Sequence, residues 1–176
     1  SPDALWRRAK IDEQRIGLVD GKHTYKGNPF NLPTMQRIVV SIDPASEPGG
    51  EGETSSGAET GIIVVGLGVD GRGYVLADRT CSADPNGWAT EAVKAFDVYD
   101  ADVIIAEKNQ GGAMVKAVIR SVRGNIPVIE VHASRGKVTR AEPIAALYEQ
   151  GRVSHVGAFP QLEDQMVVFT PFGIEG

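Results

Sequence analysis

Two carboxylates occupy the same kind of place in this sequence. Asp43 follows directly on Ile38-Val39-Val40-Ser41-Ile42, and Glu107 follows directly on Val103-Ile104-Ile105-Ala106. Each run is apolar, rich in β-branched residues and short, as expected of a buried strand. A carboxylate at the exit of such a strand lies at the carboxyl end of a sheet, where the ligands of open α/β sheets gather. If the two strands are neighbours, the two acids converge. Hard oxygen donors of like charge held close together repel unless a divalent cation sits between them, and Mg²⁺ or Mn²⁺ suits carboxylate and water ligation. Ions so placed activate water and stabilise the leaving oxygen in phosphodiester hydrolysis, so the pair points to a metal-dependent nuclease. The competing readings are a turn cap for Asp43 ahead of Pro44 and a salt bridge from either acid to an Arg or Lys.

Positive charge collects after the last expected strand. Arg135-Gly136-Lys137-Val138-Thr139-Arg140 follows the last expected strand of the core and enters a helix. Three cations there lie beside helix N–H groups and could receive phosphate, the alternative being a solvated basic loop. Asn109, two residues past Glu107 and ahead of Gly111-Gly112, is a further position that could orient a ligand or a phosphate.

The elements that must position these groups follow from periodicity and turn chemistry. Ile38–Ile42, Thr60–Leu67 and Gly73–Arg79 read as strands, the last two joined through Asp70-Gly71, a strong hairpin signal that calls for positive φ. After a break at Asp84-Pro85-Asn86-Gly87, residues 88 to 99 carry Trp88, Ala92, Val93, Phe96 and Tyr99 at helical spacing. A strand closing at Glu107, a helix with Met114, Val115, Val118, Ile119 and Val122 on one face, and a strand from Pro127 to Val131 come next. Thr139-Arg140-Ala141-Glu142 resembles a capping box ahead of a helix that Gly151 ends. The order predicts an α/β protein: a mixed sheet of three antiparallel strands followed by parallel βαβ units, flanked by helices. Residues 1–36 read as a linker or arm whose glycines and prolines, from Gly17 to Pro33, break regular structure; residues 37–176 read as the domain.

Composition narrows the function classes. The chain has 176 residues, and 18 Lys and Arg against 23 Asp and Glu leave a net charge of −5, which argues against DNA binding through bulk charge. Glu47–Glu59, a Gly- and Ser-rich stretch expected to form a loop, contributes much of the net negative charge. Cys81 alone excludes a disulfide framework, and the three histidines lack metal-ligand spacing, which argues against zinc. No apolar run is long enough to cross a membrane. A phosphate-binding loop of the G-x-x-x-x-G-K-[ST] type and a G-x-S-x-G elbow are both missing. Gly66-x-Gly68-x-x-Gly71 matches the dinucleotide fingerprint only literally, since a strand and not a helix should follow it.

Taken together, RIVVSIDPA, ETGIIVVGLGVDGRGYVLAD, ADVIIAEKNQGGAMV, SRGKVTRAEPIAALYEQGRVSHVGAF and LEDQM resemble the C-terminal nuclease domain of tailed-phage large terminase subunits. ALWRRAKID resembles the linker behind the packaging ATPase. The resemblance implies an RNase H-like, RuvC-related fold that cuts concatemeric double-stranded viral DNA during packaging, with two Mg²⁺ or Mn²⁺ ions on Asp43 and Glu107. It also implies the packaging ATPase domain, the portal and the small terminase subunit as partners, and the host cytoplasm as the location. The family carries a further acidic ligand in a segment resembling SPDR-x-DA beyond the LEDQM helix. The sequence in hand stops at Gly176 ahead of such a segment, so the domain is expected to lack its C-terminal end, with Glu163 or Asp164 as substitute ligands. A junction resolvase or RNase H-type nuclease on the same carboxylates is the alternative enzyme. A catalytically silent module docking on portal or motor is the alternative outside catalysis.

Overall fold

The first strand of the core alternates, with Val40 and Ile42 buried and Ser41 and Asp43 exposed, as a pleated strand with one face on a core must. In the computed structural model, which describes residues 3–44, 58–108, 112–132, 136–171 and 173–174, the elements run in the following order. They are α1 (Arg8–Glu13), β1 (Ile16–Val19), β2 (Lys22–Tyr25), β3 (Asn28–Pro29), β4 (Met35–Asp43), β5 (Gly61–Gly68) and β6 (Gly73–Asp78). Then come α2 (Pro85–Val98), β7 (Val103–Glu107), α3 (Gly112–Val122), β8 (Val128–Val131), α4 (Lys137–Glu149), β9 (Val153–His155), α5 (Pro160–Met166), β10 (Phe169–Thr170) and β11 (Gly173–Ile174). The main sheet has six strands in the order β8-β7-β4-β5-β6-β9. No helix among the described residues is long and apolar enough to cross a membrane.

The chain divides into two compact units. One comprises Arg37–Val65 and Asp78–Ala133. In it β4 pairs in parallel with β7, and β7 in parallel with β8. The expected antiparallel order also appears: Gly61, at the start of β5, lies beside Asp43 at the end of β4, so these neighbours run in opposite directions. Val40, Ile42, Ile104, Ala106 and Val128 make one face of these strands the core side. α3 packs on β7 and β8 and buries Val115 and Ile119 completely. Met114 and Val122, expected on the same helix face, are instead exposed at its margins. The register of β4 on β7 is fastened where they begin: the Ile38 N–H donates to Asp102 Oδ2 at 2.7 Å, and the Asp102 N–H donates to Ile38 O at 2.8 Å. Helix α2 starts at Pro85, three residues before the expected position. Asp84 is its N-cap, accepting from the Gly87 N–H at 2.7 Å, so the expected break is a helix start.

The other unit comprises Ser1–Gln36, Gly66–Ala77 and Ser134–Gly176. Residues expected to break structure here build it. β1, β2 and β3 form an antiparallel sheet whose two turns place Asp20-Gly21 at φ 50° and 75° and Lys26-Gly27 at φ 52° and 80°. Those are the paired positive φ values of tight hairpins, so the glycines act as turn residues. Gly68 and Gly71 belong to the hairpin ahead of β6. There only Gly71 has positive φ, at 80°, and the Gly68 N–H donates to Arg72 O at 2.9 Å across a longer loop than a two-residue turn. Helix α4 starts at Lys137 behind Gly136 with no side-chain cap, which places Thr139 inside the first turn and removes the capping box. Gly151, at φ 70°, follows its end as expected.

Removing the Asp102 clamp tests what fixes the strand register. Asp102→Ala is expected to lower stability in urea unfolding by about 1 kcal/mol, one exposed hydrogen bond's worth. Amide exchange at Ile38 should quicken more than in the middle of β4.

Candidate active site

Parallel pairing sets Ile42 opposite Ala106, and one step further Asp43 comes level with Glu107. Side chains of register partners project from the same face, and neighbouring strands lie about 4.8 Å apart. The convergence expected from sequence is therefore present in the backbone. On the far side of Glu107 its partner in β8 is Val131. The face shared by these residues is the one opposite the buried core: Ser41, Asp43, Ile129 and Val131 are exposed, Ile105 and Glu107 half-buried. Two carboxylates on one accessible face form a hard, anionic donor set that fits Mg²⁺ or Mn²⁺, with water completing the coordination. Among the described residues no group of three or more His, Cys, Asp or Glu converges to hold a metal.

The cations are distributed more widely. Arg140 is exposed in the first turn of α4, whose N-terminus carries no side-chain cap. Lys137 is the first residue of that helix. Asn109, Arg135 and all of the acidic stretch except Ala58 and Glu59 lie outside the described residues, as does the Lys137 side chain. Lys108 and His132, which the motifs did not single out, are exposed and directly follow Glu107 and Val131.

A family model for the Terminase RNaseH-like domain matches residues 40–170. The chain belongs to this family. Its fold is similar to that of the large terminase of bacteriophage HK97, with a TM-score of 0.62 at 10% identity, covering 97% of this chain and 38% of that one. The large terminase nuclease from the thermophilic phage G20c gives 0.58 at 12% identity, covering 96% and 82%. The large terminase of a second thermophilic bacteriophage gives 0.58 at 13%, covering 79% and 34%, so the chain spans about a third of that protein's length. The G20c nuclease has also been solved with bound cobalt and with bound magnesium. No curated protein sequence matches. The fold expected from the sequence, an α/β RNase H-like mixed sheet, is the fold found.

In this terminase RNase H-like domain the two acids of the LEDQM helix have partners in their own unit. Glu163 is 3% exposed and receives Arg15 in a fork, Nη1 to Oε2 at 2.6 Å and Nη2 to Oε1 at 2.8 Å. His155 Nδ1 donates to Glu163 Oε2 at 2.8 Å, and the Tyr148 hydroxyl donates to His155 Nε2 at 2.7 Å. Asp164 is exposed and pairs with Arg8 at 2.7 Å. Burial pushes the Glu163 pKa up, but the hydrogen bonds from Arg15, His155 and the Phe159 N–H outweigh it and hold the carboxyl at about 2. Burial likewise keeps His155 below its usual 6.5, only partly opposed by Glu163. Glu163 thus serves as the anion of a buried cluster that ties Arg15 to α5.

Both shifts act in one direction with pH. A depressed pKa gives stability that is complete above the unfolded value and lost as pH falls toward the folded one. The urea midpoint should start to fall below pH 6.5 through His155 and fall further between 4.5 and about 2 through Glu163. The Glu163 contribution is about 3 kcal/mol. Glu163→Gln should lower the midpoint at pH 7 and flatten the profile between pH 4.5 and 3.

Proposed function

We propose that this domain is a divalent-metal-dependent endonuclease that cuts double-stranded DNA of viral concatemers during genome packaging. The observation that carries the reading is the level, same-face placement of Asp43 and Glu107 on adjacent parallel strands of a terminase RNase H-like domain. Metal-bound structures of the similar G20c nuclease support it. Asp43 and Glu107 would hold two Mg²⁺ or Mn²⁺ ions. When bound, such ions supply an activated water and neutralise charge on the leaving oxygen.

The chain's own residues then have three tasks. Ser41 and Asp43, exposed among the described residues, would face the duplex. The two carboxylates fix where the cations sit relative to the sheet. Arg140, Lys137, Arg135 and Asn109 are proposed to hold phosphates, with the uncapped first turn of α4 adding N–H donors. A net charge of −5 limits this grip, so affinity rests on these few contacts and on partners, proposed to be the packaging ATPase domain, the portal and the small terminase subunit in the host cytoplasm.

Asp43→Asn and Glu107→Gln are each expected to lower Mn²⁺-dependent nicking of supercoiled plasmid by about 100-fold or more at unchanged melting temperature. Undiminished cleavage by both variants would refute the assignment. Comparing linear duplex, four-way junctions and RNA–DNA hybrids separates a packaging nuclease from a resolvase or RNase H-type enzyme. Arg140→Ala should weaken DNA binding across all sequences and reduce the slope of log K against log salt by about 1.

A further inference from the structure

At the end of the sheet that carries Asp43, four positions make one row across the strands: Val131 in β8, Glu107 in β7, Asp43 in β4 and Gly61 in β5. A Cβ placed on Gly61 would lie 3.7 Å from the Asp43 Cβ and 3.8 Å from the Asp43 carbonyl oxygen. A methyl group fits there in ordinary contact; a longer side chain would extend alongside the Asp43 carboxylate. The next four residues of β5 are Ile62, Ile63, Val64 and Val65, the types a strand prefers, so glycine at position 61 runs against local propensity. Gly61 is the first residue of β5, and a glycine there leaves room for a ligand or another backbone to come close. The row is also asymmetric. Val131 and its neighbour Ile129, 38% and 45% exposed, stand beside Glu107, while on the other side of Asp43 the position in the row is a glycine.

We infer that Gly61 is a specificity-determining residue, the notch over which the sugar-phosphate backbone of the strand being cut passes to reach the Asp43 and Glu107 pair. The inference rests on the reading of that pair as the seat of the divalent ions. It deepens that reading by assigning the substrate's line of approach to the β5 side and by making the absence of a bulky side chain at position 61 a requirement for full cleavage. Gly61 acts on substrate access and leaves ion binding to the carboxylates.

The test compares Gly61→Ala, Gly61→Val and Gly61→Leu for Mn²⁺ binding by calorimetry, melting temperature and plasmid cleavage kinetics. The alanine variant should stay close to wild type. The valine and leucine variants should bind Mn²⁺ normally and lose about 10–100-fold in kcat/KM, mainly through KM. To add bulk after folding, Gly61→Cys in a Cys81→Ser background is alkylated with N-ethylmaleimide, which should abolish cleavage that the unlabelled protein retains. Wild-type cleavage by the folded valine variant or by the labelled protein overturns the Gly61 notch and leaves the ion-binding pair standing. Loss of Mn²⁺ binding in those same proteins also overturns it, because the side chain would then act on the ion seat. A wild-type chain that neither binds Mn²⁺ nor cleaves DNA overturns both readings.

Discussion

The register between β4 and β7 is the constraint on which the candidate site depends. Side chains alternate faces with a period of two, so a slip of one residue would send Asp43 and Glu107 to opposite sides of the sheet. Two forces oppose that slip. Val40 and Ile42, with Ile104 and Ala106, are buried on the core side, and a one-residue shift would take one of these pairs out of that core. The reciprocal hydrogen bonds between Ile38 and Asp102 fix the starting point of the two strands. Apolar burial therefore sets where two charged groups meet. The hydrophobic face on the other side of the same strands holds them level.

Charge in this acidic chain is handled in two ways. Several carboxylates are matched to guanidinium groups, as Glu149 is to Arg7, Asp97 to Arg123 and Glu163 to Arg15. These pairs fasten one stretch of chain to another over sequence separations as large as 148 residues. At the end of β4 the neighbour of a carboxylate across the sheet is a second carboxylate. Like charges so placed repel each other, and the arrangement is suited to a divalent cation. The net charge of −5 thus includes acids matched to guanidinium groups and, on the reading proposed above, two acids placed for a cation.

Much of this was legible in the residues. A β-branched run ending in an acid gives the strand and singles out the acid at its end as a candidate, which is why Asp43 and Glu107 stand out, and the succession of strands and helices from Arg37 onward gives the mixed sheet. The row's fourth member was hidden because Gly61 gains its meaning only from lying beside Asp43, and sequence does not state which residues of two strands face each other. The first stretch was misread for a different reason. Asp20-Gly21 and Lys26-Gly27 are hairpin turns, but their strands are short and weakly apolar, so the glycines looked like breakers. The role of Glu163 was equally closed to local reading, since Arg15, which decides it, is nearly the whole chain away.

The central claim is that Asp43 and Glu107 together hold divalent ions. Anomalous diffraction from crystals soaked in Mn²⁺ tests it most directly. The account predicts a peak between the two carboxylates, within about 2.0–2.6 Å of an oxygen from each, that disappears in Glu107→Gln. A peak elsewhere, or none at Mn²⁺ concentrations that support cleavage, would contradict it.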